Sequence, residues 1–89
     1  MANFFENVDP QTAAELDQLS HLLYELREHL GSVLGAYGAA DPAALLVQIE
    51  SGAVAEHPAY EHYLSARILA DTRDAARTLL GERAKEANR

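Results

Sequence analysis

The sequence predicts an all-α protein, a small three-helix bundle or a helical hairpin with one short helix added, and three observations predict it. Apolar residues recur at alternating spacings of three and four from Leu16 to Tyr37, which holds them on one side of a helix with 3.6 residues per turn. Each proline follows a residue able to cap a helix, at Asp9-Pro10, Asp41-Pro42 and His57-Pro58. Proline suits a first turn because its missing N–H would lack a partner there in any case. No stretch alternates apolar and polar residues in the manner of a strand.

The first helix is expected over about residues 10–35. Leu16, Leu19, Leu23, Leu26, Leu30, Val33 and Tyr37 make a heptad seam, flanked by Leu22 and Leu34, and the stripe is about 120° wide, the width of a bundle helix rather than a narrow coiled-coil edge. Gly31, Gly35 and Gly38 weaken its last turns. The second helix, about 42–51, offers Leu45, Leu46 and Ile49 as apolar contacts and ends at Gly52. The third is expected over about 58–80, followed by a polar tail at 81–89. On it Tyr60, Leu64, Ile68, Ala75 and Leu79 form one stripe and Leu69, Ala76 and Leu80 another. Together they make an arc of about 200°, wider than one neighbouring helix can cover. The arc predicts packing on both other helices, or on one helix and a second subunit. Phe4 and Phe5 are expected to fold back onto the bundle as a staple.

A chain of 89 residues has room for a single domain with one core, and a domain this short removes only about 60% of its unfolded surface from water. Apolar residues nevertheless make up 48% of it. A homodimeric helical bundle is therefore expected, self-associating through Leu19, Leu23, Leu26 and Leu30 of the seam or through the broad arc of the third helix. The absence of cysteine excludes disulfide frameworks, thiolate nucleophiles and Cys-based metal sites. The sequence shows neither a signal-like stretch nor an apolar run of about 20 residues, so a cytoplasmic protein without membrane contact is expected.

The formal charge of −7 is unevenly spread. Residues 1–57 hold nine acids and one base, Arg27, net −8, whereas residues 58–89 hold six bases and five acids, net +1. Nucleic-acid binders need cations to displace counterions, so that class is not expected. A helix-turn-helix reader is not expected either, because the link between the second and third helices is long and the latter opens on Glu61. A partner with a basic surface suits the acidic half. The candidate docking residues are His21, Tyr24, Glu25 and Glu28, which lie on the side of the first helix away from the leucines. Tyrosine offers a partner contact area at small entropic cost.

No phosphate loop, nucleophile elbow or positioned serine–base pair occurs, so no enzyme and no cofactor are expected. His21, Glu25 and His29 share helical spacing but span about 12 Å of helix, too far for one ion. The alternative function is a metal or small-ligand binder using His57, Glu61 and His62 at the start of the third helix.

The stretch DQLSHLLYELREHLG is similar in character to acyl carrier proteins, which are acidic, helical and of this length. Those proteins present serine in an Asp-Ser-Leu motif at a helix start, whereas Ser20 follows Leu19 in mid-helix, so the resemblance implies no carrier arm. In size and charge alone the chain is also similar to bacterial immunity proteins, small acidic inhibitors that mask basic surfaces.

Overall fold

A computed structural model describes residues 9–88. Three helices follow in order: α1 over Pro10–Gly35, α2 over Pro42–Glu50 and α3 over Glu56–Ala87. The described residues contain no strand. The expected staple of Phe4 and Phe5 lies outside them.

Short-range chemistry accounts for the ends of the helices. The Asp9 carboxylate accepts from the amides of Gln11 at 3.1 Å and Thr12 at 3.0 Å, and the Asp41 carboxylate accepts from Ala44 N at 2.8 Å. Both satisfy first-turn amides that have no partner inside the helix. α2 stops where Gly52 takes a positive φ of 79°. There Ala53 N donates to Gln48 O at 2.9 Å and Gly52 N to Ile49 O at 3.1 Å, the bond pair of a Schellman ending. Gly38, with φ 61°, closes α1 by an equivalent pair, as Ala39 N donates to Leu34 O and Gly38 N to Gly35 O, each at 3.1 Å. At the start of α3 His57 lies outside the helical region, with φ −105° and ψ 129°, because a residue before proline is pushed toward extended backbone. Continuous helix therefore begins at Pro58, and the His57–Pro58 peptide is cis.

α1 and α3 run antiparallel as a long hairpin. Arg83 meets Glu15 at one end, at 3.7 Å, and His62 meets Tyr37 near the other. α2 packs on α3 at that second end, where Leu30, Leu34, Leu45, Tyr63 and Ala66 form a buried cluster. Gln48 Nε2 donates to Tyr37 O at 3.1 Å and ties α2 to the turn after α1. Leu16, Leu23 and Leu30, seven residues apart, are buried along the hairpin, each burial contributing roughly 1.5–3 kcal/mol.

One expectation is corrected, the length of α3. The polar tail at 81–89 is helical as far as Ala87. Ala84 and Ala87 are half-buried and Arg83 reaches Glu15, so α3 continues because its far end still has α1 to pack against. The apolar arc of α3 is covered by its own chain on one side only. Of the two stripes, Leu69, Ala76 and Leu80 are covered, but Tyr60, Leu64, Ile68, Ala75 and Leu79 are exposed. The contact is made by Ala59, Tyr63, Ala66 and Ala76. Leucines on α1 already fill the space between the helices, and small residues opposite them allow close approach at native packing density.

Candidate interaction surface

Because the seam of α1 turns toward α3, its opposite side faces solvent. Asp17, His21, Tyr24, Glu25 and Glu28 are all exposed there, and Tyr24 keeps 61% of its surface. His21 Nε2 lies 3.0 Å from Glu25 Oε1 in an i, i+4 pair. An exposed pair of this kind adds little to stability. The structure thus brings the four candidate docking residues together as one acidic patch around an aromatic ring.

The alternative metal cluster does not form. His57 Nδ1 approaches Glu61 Oε1 at 2.7 Å, but His62 turns the other way and its Nδ1 meets the Tyr37 hydroxyl, with the two rings 5.6 Å apart at 59°. His57 and Glu61 are both exposed. Among the described residues no group of three His, Asp or Glu side chains is placed to hold a metal ion. The Glu61 carboxyl is held below its ordinary value first by its own backbone N–H and then by the hydrogen bond from His57. This is helix-start chemistry, where first-turn amides favour a carboxylate.

The leucines proposed for self-association divide by register. Leu23 and Leu30 are buried against α3 within one chain, while Leu19 and Leu26 are half-buried. As a continuous seam these four are therefore not free for a second copy. Along one flank of the hairpin, where α1 and α3 meet, two grooves are open. One groove of about 330 Å³ is lined by Glu15, Gln18, Leu19, Leu22, Leu79 and Arg83. A second, of about 470 Å³, is lined by His29, Val33, His62, Ser65, Ile68 and Leu69. His29, which shares helical spacing with His21 and Glu25, belongs to this flank and not to the acidic patch.

The sequence pattern marks the stripe of Tyr60, Leu64 and Ile68 without deciding whether it meets the other helices or a second subunit, and it does not mark the Tyr37–His62 contact. The alanines at 59, 66, 70 and 76 were the available signal for the inward side of α3, since a helix receiving leucines needs small residues opposite them. No local pattern signals the Tyr37–His62 pair, whose members stand 25 residues apart.

Fold and surfaces together define a small all-α protein: a two-helix hairpin braced at one end by a short third helix, with an acidic outer face. The chain belongs to the family described as uncharacterized protein MJ0235, which it matches over residues 14–87, a span that takes in all of α2 and α3 and most of α1. No curated protein and no solved structure matches it. Among the described residues no helix is long and apolar enough to cross a membrane.

Proposed function

We propose that the protein is a non-enzymatic interaction module that self-associates and offers the acidic outer face of α1 to a partner with a basic surface. The observation that carries this reading is the exposed Tyr24 ring among Asp17, His21, Glu25 and Glu28. None of these side chains packs into the core, so their chemistry is free for recognition. Interfaces favour tyrosine at their centre, and opposite charge steers the encounter. The uneven charge supports the same reading, with net −8 in residues 1–57.

The test is the double charge reversal Glu25→Lys with Glu28→Lys. The unmodified chain should retain basic proteins from a cell extract at low salt and release them as salt rises, because the attraction between exposed charges is screened. The reversed chain, still helical by circular dichroism, should lose them. Retention of the same proteins by both chains would contradict the reading.

A further inference from the structure

We infer that the open flank of the hairpin is the face on which a second copy of this chain docks, two-fold and antiparallel, giving a four-helix bundle of two α1–α3 hairpins. The inference rests on the self-association part of the function proposed above and names the surface it uses. That surface is marked by Leu22, Ile68 and Leu79, with Leu64 on its outer edge; Ile68 is the most exposed large apolar side chain among these, at 66%.

Three observations favour a second copy as the occupant. The first is area. The chain exposes 6192 Å², whereas a compact monomer of 9.7 kDa exposes about 5,100 Å², so roughly 1,000 Å² is in excess. A standard interface covers about 800 Å² on each partner. The second is shape. The molecule measures 54 × 19 × 19 Å with a radius of gyration of 17.2 Å, against about 12 Å for a compact chain of this length. A hairpin of this form has one layer, and pairing it with a second layer yields the closed bundle common among helical proteins.

The third is charge. Two copies of a chain carrying −7 repel one another unless they meet on a surface with little net charge. On this flank Glu15 and Arg83 pair at 3.7 Å, and the remaining ionisable groups lining the two grooves are His29 and His62. Glu61 and Glu82 stand seven and fourteen residues from Ile68, and Asp71 seven from Leu64, so these exposed carboxylates border the flank along the outer side of α3. The acidic patch around Tyr24 lies on the other side of α1. A basic partner is drawn there, and the neutral flank is left to the copy.

Of the two directions a two-fold allows, the antiparallel one sets the two ends of the flank against each other. A two-fold interface must complement itself. The flank carries one groove toward each end, at Leu19–Leu22–Leu79 and at Val33–Ile68–Leu69. Antiparallel docking places the Ile68 end of one chain on the Leu79 end of the other.

The experiment uses the full chain at tens of micromolar, with mass read by light scattering or sedimentation. The expected result is twice the chain mass for the unmodified protein, the single mass for Ile68→Asp and for Leu79→Asp, and the double mass for Tyr24→Asp on the opposite side. Each variant is first checked for helicity; both flank residues are exposed in the single chain, so the hairpin should survive. Should either aspartate variant unfold, Thr72→Cys, midway along the flank, replaces it. In a chain without cysteine, mild oxidation should cross-link Thr72→Cys into dimers well ahead of Tyr24→Cys. A single mass for the unmodified chain overturns both this inference and the self-association reading. A double mass that survives Ile68→Asp and Leu79→Asp, or equal cross-linking at both cysteines, overturns the flank alone. If the unmodified chain is single and deleting residues 1–8 shifts the Ile68 methyl resonances, the chain's own N-terminal segment covers the flank, and the inference falls by that route.

Discussion

Asp9, Asp41 and Glu61 show how single carboxylates set the local geometry of this chain. The first two accept first-turn amides, and Glu61 accepts from His57. In Glu61 the folded state favours the ionised form, so its pKa lies below the ordinary 4.5. A group with a depressed folded pKa contributes stability above its unfolded value, and that contribution fades as pH falls through the lower folded value. Carbon-detected titration should therefore place the Glu61 midpoint below 4.5 and show it rising only part of the way in His57→Ala, because the backbone N–H, the larger cause, remains. A midpoint that returns fully to the ordinary value would mean that His57 holds the carboxylate alone. Asp9 and Asp41 were legible as caps from the dipeptides they form with proline. The Glu61 pairing was legible only as a crowd of polar residues, because several partners stood within reach and choosing among them takes coordinates.

At the scale of the helices, the seam of α1 and the small residues of α3 are two halves of one contact. Leu30 is 4% exposed and belongs to the cluster with Leu34, Leu45, Tyr63 and Ala66. Leu30→Ala should lower stability by about 2–5 kcal/mol, the usual range for a leucine truncated in a packed core, read as a shift of the urea midpoint. Under conditions where the variant is folded, its mass by light scattering should equal that of the unmodified chain. A change of mass without loss of stability would return Leu30 to an interface between chains. The register of α1 was readable because heptad spacing is a one-dimensional signal. The inward side of α3 was not, since both of its apolar stripes suit a neighbouring helix and only the volume already supplied by the opposing helix decides between them.

For the molecule as a whole, length matters as much as packing. α3 extends to Ala87 and meets the first turns of α1 through Ala84, Ala87 and the Arg83–Glu15 pair. Removing residues 81–89 should therefore lower Tm by several degrees, since each kcal/mol lost shifts a domain of this size by about 4–8 °C. A Tm equal to that of the full chain would show that this end is only a solvated tail. The sequence by itself determined the all-α class, the number of helices, where α1 and α2 start and the crowding of negative charge into residues 1–57, because caps, periodicity and composition act over a few residues. Only the tertiary structure decided which flank of α3 is covered, how far α3 runs and that His62 turns to Tyr37 instead of His57. Those outcomes depend on matching volumes and partners between segments far apart in the chain, and no local pattern encodes such a match.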